Sequence, residues 1–95
     1  MPTVTGHLSW AQGNEKFAGS FYLDDQIEIN WAITVLFYSA VHYVDAYLVR
    51  HNDKQPDRYG RDGAIMRDDN LFFIWRHYKR LKDMSRSARY GFWAC

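Results

Sequence analysis

The sequence predicts an all-α fold, a single domain built as an antiparallel four-helix bundle. Bulky apolar residues recur at three- and four-residue spacing, no stretch shows the sustained alternation of a half-buried strand, and short polar segments separate the periodic ones. A chain of 95 residues has room for one domain. Aromatic residues make up 18% of it, and such large side chains suit a small core.

The first helix is predicted at about residues 6–20, where Trp10, Phe17 and Phe21 recur at helical spacing. Gly19 and Ser20 are expected to loosen its end.

The second helix is predicted from about Asp25 to about Arg50. Glu28 follows Asp25 by three residues, a pattern typical of a helix start. Residues 31–48 are apolar on nearly every side, so we expect this helix to lie at the centre with contacts on several sides.

Residues 51–57 form the clearest predicted loop, because Pro56 disfavours a helical conformation at the residue before it. Asp57 can then cap a short third helix at about 58–67. The segment Asp-Asp-Asn at 68–70 can cap a fourth helix. The buried face of the fourth helix is predicted at helical spacing. Its residues are Leu71, Ile74, Trp75, Tyr78, Leu81 and Ser85.

Charge is distributed unevenly along the chain, although the net charge is only +1. Residues 1–57 carry seven acids and three bases, whereas residues 58–95 carry four acids and nine bases. The basic half faces either an anionic partner or the acidic half of the same fold. The single cysteine, Cys95, cannot close an internal disulfide, which favours a reducing compartment.

The chain shows no pattern that requires a membrane, a metal or a cofactor. His42 and Asp45 interrupt the apolar run, and the N-terminal segment lacks the basic start of a secretory signal. The other histidines do not form a ligand-spaced motif; they are His7, His51 and His77. We therefore expect a cytoplasmic protein.

Polar residues inside the apolar second helix have two competing interpretations. His42 and Asp45 form either a buried hydrogen bond that fixes the helix register, or an acid–base pair or half of a metal site. A catalytic triad with Ser39 is not favoured, because a helical serine usually bonds back one turn, here near Val35, and helix-interior amides cannot serve as oxyanion donors.

The segment "RHYKRLKDMSRSAR", residues 76–89, predicts a basic ridge on the fourth helix, with six Lys or Arg against one Asp. It would extend about 20 Å and suit the phosphates of single-stranded RNA, with Tyr78 and Tyr90 as base-stacking surfaces. The alternative is a solvated face whose cations pair with nearby acids. The predicted phosphate contacts, called the basic ridge below, are Arg76, Lys79, Arg80, Arg86 and Arg89.

Four segments together resemble the HEPN superfamily of small helical domains from prokaryotic defence, toxin–antitoxin and RNA-processing systems. They are "HLSWAQGNEKFA", "WAITVLFYSAVHYVDAYL", "RYGRD" and "IWRHYKRLKDMSRSARY", within about residues 7–90. Active members are metal-independent ribonucleases with an arginine and a histidine about four to six residues apart, paired across a dimer. No arginine precedes His42, and His51 and His77 each follow one directly, so the spacing is absent.

The resemblance therefore implies an RNA-associated module, non-catalytic or weakly catalytic, of a prokaryotic defence or toxin–antitoxin type. We expect a homodimer formed through aromatic faces. Tyr90, Phe92 and Trp93 near the chain end either fold back onto the bundle or contact another subunit. Two alternatives remain open. One is a small helical inhibitor or antitoxin-like protein that binds another protein, and the other is a ribonuclease centred on His42 and Asp45.

Overall fold

The computed structural model describes residues 3–52 and 60–94, with side chains at 3–51 and 60–89. The described ranges contain four α-helices and a 3-10 turn and no strand, so the predicted all-α fold class is confirmed. The elements are α1 (Val4–Ala18), α2 (Gln26–Asn52), α3 (Gly60–Arg67), the 3-10 turn (Phe72–Ile74) and α4 (Trp75–Ala94). The antiparallel order of the helices stays a prediction.

Side-chain caps set the starts of the first two helices. The Thr3 hydroxyl accepts a hydrogen bond from the Gly6 amide at 3.0 Å, so α1 begins slightly before the predicted position. The Asp25 carboxylate accepts from the Ile27 amide at 2.9 Å, as expected for a cap. Glu28 does not complete the capping box; its carboxylate accepts from the Tyr22 amide at 3.4 Å instead.

The segment before α4 is held by Asp68. Its carboxylate accepts from the Asn70 amide at 2.8 Å and from the Tyr47 hydroxyl of α2 at 3.1 Å. The 3-10 turn follows, so regular α-helix starts only at Trp75, a few residues later than predicted. Of the predicted loop 51–57, the first two residues belong to α2. The rest, including the predicted cap Asp57, lies outside the described residues.

Helix α2 lies at the centre of the described part, in contact with α1, α3 and α4. Its 27 residues give a length of about 40 Å at about 1.5 Å per residue, close to the longest dimension of 41 Å. Each large apolar side chain buried here contributes about 1.5–3 kcal/mol relative to an exposed one. The core residues are Phe37, Val41, Val44, Leu48, Ile65, Leu71 and Tyr78.

The predicted inner face of α4 and its approach is confirmed. Leu71, Tyr78 and Ser85 are buried, and the other three residues of the stripe are half-buried. The stripe packs on α2 because helical spacing brings these side chains to one side of α4. The opposite side of α4, which carries most of the cations, therefore faces solvent.

Residues 26–51 of α2 are long and apolar enough to cross a membrane by length and composition. Half of the apolar window is buried within the chain itself, as in the core helix of a soluble protein. This helix by itself therefore does not indicate a membrane span.

Candidate functional site

His42 contacts α1 rather than the carboxylate one turn further along α2. Its Nδ1 atom lies 3.0 Å from Nδ1 of His7, and the Trp10 ring stacks on the His42 ring with centroids 6.0 Å apart. The predicted His42–Asp45 hydrogen bond is therefore wrong. Since both hydrogen-bonding atoms are ring nitrogens, one imidazole must donate while the other accepts.

Asp45 is bound by an arginine that the sequence reading did not assign to it. Nε and Nη2 of Arg61, in α3, donate to the two carboxylate oxygens of Asp45 at 2.6 and 3.0 Å. The side chains of Arg61 and Asp45 are only 16% and 7% exposed, so this largely buried ion pair joins α3 to α2. Burial lowers the pKa of Arg61, but the bonded carboxylate outweighs that effect and raises it above the ordinary value.

Burial also lowers the pKa of His42 below its ordinary value of 6.5, and the neighbouring His7 lowers it further. The Asp45 carboxylate opposes this only partly. His42 is therefore mostly neutral near pH 7. Both Asp45 oxygens bind Arg61, and within the described residues no carboxylate is hydrogen-bonded to His42 to orient it for acid–base chemistry.

Ser39 also serves the contact between helices. Its hydroxyl donates to the carbonyl of Ala11 at 2.7 Å, and the bond is buried. The expected bond back to the carbonyl near Val35 is therefore wrong, and the Ser39 hydroxyl donates across the helix interface rather than toward His42. The hydrogen bonds of Ser39 and His42 together join α1 to α2, so these polar side chains fix how the two helices pack.

Metal ligands do not gather in the described part of the chain. Among those residues, no group of three or more His, Cys, Asp or Glu side chains is placed to hold an ion. The His7–His42 pair supplies two imidazoles, fewer ligands than a structural zinc site uses.

The basic ridge is mostly open to solvent. Arg76, Lys79, Arg80 and Arg86 are exposed on α4. Lys79 pairs with Asp83 one turn along the helix at 3.0 Å, and these side chains are 54% and 59% exposed. A surface pair of this kind is worth at most about 1 kcal/mol, so Lys79 can exchange it for another anion.

Two other cations of α4 are engaged within the fold. Nη1 of Arg89 donates to the Tyr38 hydroxyl at 2.8 Å, and its guanidinium lies 5.9 Å from the centre of that ring. Lys82 forms an ion pair with Asp62 of α3. Arg89 is therefore a weaker candidate for a phosphate contact than the four exposed cations.

Tyr78 is only 5% exposed, so its prediction as a base-stacking surface is wrong. Its ring packs against Phe37 and Trp75, with centroids 5.7 and 6.2 Å away, and burial raises its pKa to about 12. The helical spacing that places Tyr78 in the core stripe removes it from the exposed ridge. The side chains of Tyr90, Phe92 and Trp93 lie outside the described residues.

An open groove of about 1000 Å³ lies between α2 and α4, next to the basic ridge. Its lining combines the amides Gln26 and Asn30 with apolar side chains, three cations and the carboxylate of Asp83. The sequence reading missed both amides, because no motif marks them. Residues that line the groove include Gln26, Asn30, Ile33, Trp75, Arg80 and Met84.

The partners of His42 and Asp45 were also missed. The partner of Asp45 could have been inferred, because a buried carboxylate needs a cation and the segment "RYGRD" offers Arg58 and Arg61.

Comparisons with protein-family models, curated proteins and solved structures found no match to the chain. The HEPN resemblance therefore stays a prediction.

Proposed function

We propose that the chain is an RNA-associated helical module that binds single-stranded RNA through the basic ridge. The observation that carries this proposal is the exposure of four ridge cations, Arg76, Lys79, Arg80 and Arg86, along one helix. Ten residue-to-residue steps separate the first from the last of them, or about 15 Å at about 1.5 Å per step, a length that reaches several phosphates of a nucleic-acid backbone.

Charge on the surrounding chain favours an anionic partner over internal pairing. Among the described acids, Asp83 pairs with an exposed ridge cation, Lys79. Asp83 belongs to the same helix and is itself exposed. Asp45 and Asp62 pair with Arg61 and Lys82 instead. The ridge thus keeps a surplus of positive charge that the described fold does not neutralise.

Catalysis is not included in the proposal. The described contacts of His42 and Asp45 hold helices together, and the arginine–histidine spacing typical of active HEPN ribonucleases is absent. A cytoplasmic module of the prokaryotic defence or toxin–antitoxin kind is the biological setting that agrees with the HEPN resemblance and with this binding mode.

The salt dependence of RNA affinity tests the proposal. Each phosphate neutralised in a single strand contributes about −0.7 to the slope of log affinity against log salt, so four contacts give about −2.8. Replacing Arg80 and Arg86 by glutamine should weaken binding and reduce the slope to about −1.4. Fluorescence anisotropy with a labelled single-stranded RNA at several salt concentrations measures both quantities.

The matched control replaces Arg50 and Arg67, which are exposed on α2 and α3, by glutamine. This variant changes the net charge equally and should keep most of the affinity and the slope. Equal losses in the two variants, or a flat salt dependence of the parent protein, would contradict a specific role of the ridge.

A second candidate function is protein association, which exposed apolar side chains at the α1–α2 connection favour. Phe17, Tyr22, Leu23 and Ile27 are each more than half exposed and follow one another closely in the chain. Such clusters on small proteins commonly mark interaction sites. The same patch would serve the expected homodimer or another protein partner.

The oligomeric state in solution tests the homodimer. Leu23→Glu should convert a dimer into a monomer in analytical ultracentrifugation, because the dimer interface would bury an unpaired carboxylate. Met66→Glu, at an exposed methionine of α3, is the control and should leave the dimer intact. A monomeric parent protein would rule out the homodimer and leave only a different protein as the partner.

A further inference from the structure

We propose that the groove between α2 and α4 binds an unpaired base of the RNA strand held by the basic ridge. This inference rests on the proposed function and assigns the substrate class as single-stranded RNA with accessible bases.

Apolar side chains in the groove provide a surface for the face of a base. Ile33 and Trp75 are half-buried, and Met84 is 43% exposed. Their hydrocarbon, indole and thioether groups suit the flat, weakly hydrated faces of nucleobases, and aromatic side chains stack on any base. The groove volume of about 1000 Å³ lies at the upper end of the about 300–1,000 Å³ found for small-ligand pockets, which accommodates a base with its sugar.

Two amides of α2 line the same groove and can contact a base edge. Nε2 of Gln26 donates to Oδ1 of Asn30 at 2.8 Å. This bond leaves the Gln26 carbonyl as an acceptor and the Asn30 amide nitrogen as a donor. A neighbouring donor and acceptor match the paired hydrogen-bonding groups on a base edge, as asparagine and glutamine do when they bind adenine.

Cations complete the argument for a nucleotide as the occupant. Arg76, Lys79 and Arg80 line the groove beside the amides and the apolar side chains. A base in the groove would place its flanking phosphates near these charges, so both parts of the nucleotide find a complementary partner. An apolar protein helix in the same groove would leave Arg76 and Arg80 without a counter-charge, because the acid of the lining, Asp83, already pairs with Lys79.

Abasic RNA distinguishes base binding from phosphate binding. The probe is a short labelled single-stranded RNA, compared with an oligonucleotide of equal length whose central bases are replaced by abasic riboses. Stacking of one base on an aromatic side chain changes affinity by about 5- to 150-fold, so the abasic strand should bind at least about fivefold more weakly with an unchanged salt slope. Equal affinity of the two strands would overturn the base-binding groove and leave ridge binding intact.

A matched pair of methionine variants locates the base. Met84→Gln places a polar amide in the groove, whereas Met66→Gln makes the same change on α3 at nearly equal exposure, 43% against 44%. With 2-aminopurine at the central position, Met84→Gln should reduce the fluorescence change on binding, and Met66→Gln should not. Equal behaviour of the variants, or no fluorescence change in the parent while RNA still binds, would overturn the proposal. Failure of every strand to bind would instead refute the proposed function itself.

Discussion

Replacing Asp45 by alanine is expected to destabilise the fold strongly, because it leaves the Arg61 guanidinium without its counter-charge. Asp45 is buried and Arg61 is half-buried, with 7% and 16% of their side chains exposed. Removing one partner of a buried ion pair raises the free energy of the folded state by about 3–5 kcal/mol. A 95-residue domain has a total stability of about 5–14 kcal/mol at about 0.05–0.15 kcal/mol per residue.

Urea denaturation followed by far-UV circular dichroism measures the loss directly, provided that both variants unfold in one transition. In a thermal scan, a loss of 3 kcal/mol corresponds to a decrease in Tm of about 12–24 °C, at about 4–8 °C per kcal/mol for domains of this size. Asp83→Ala is the control, because it breaks a surface pair with Lys79 and should lower stability by less than about 1 kcal/mol.

A loss for Asp45→Ala as small as that for Asp83→Ala would refute the buried ion pair. Replacing both partners provides a second check. The double variant Asp45→Leu, Arg61→Met removes both charges together, so it should be more stable than Asp45→Ala. A double variant no more stable than the single one would show that the loss comes from packing and not from an unpaired charge.

Three further predictions concern single side chains. The hydroxyl of fully buried Ser85 has no hydrogen-bond partner among the described residues, so Ser85→Ala should raise the free energy of unfolding by about 1 kcal/mol in urea denaturation; a decrease would contradict this. Because burial lowers the pKa of His42 in the folded state, the unfolded chain takes up its proton first, and stability should fall as the pH drops below about 6.5 through the folded pKa. The urea midpoint of His42→Gln should fall less between pH 8 and pH 5 than that of the parent, and an equal fall would exclude His42 as the cause. Arg89→Ala should reduce RNA affinity less than Arg86→Ala, since Arg89 already contacts Tyr38, and anisotropy titrations would show the reverse order if Arg89 reaches phosphate.

The secondary structure followed closely from local patterns in the sequence. Apolar spacing located the first and fourth helices, and the loop around Pro56 set the approximate start of the third. For the second helix, the cap at Asp25 marked the start within a residue. The delayed start of α4 at Trp75 was not predicted. The bonds of Asp68 to Asn70 and Tyr47 shape this segment, and the second of them joins residues 21 positions apart.

The candidate site divides in the same way. Helical periodicity correctly separated the exposed cations of α4 from the buried stripe, because the two sets occupy opposite sides of one helix. It also placed Tyr78 in the stripe, and its simultaneous assignment to RNA stacking was inconsistent with that position. The groove depends on how α2 approaches α4, so no local pattern indicated Gln26 and Asn30 as its lining.

The sequence by itself determined the helical fold class, the central position of α2 and the exposed charge on α4. These properties depend on spacing within a single helix, which is fixed by 3.6 residues per turn. Only the tertiary structure decided that Asp45 pairs with Arg61 and His42 with His7. A buried polar group needs a hydrogen-bond partner, and the sequence offers several candidates for each such group. The packing of one helix against another decides which candidate comes within reach.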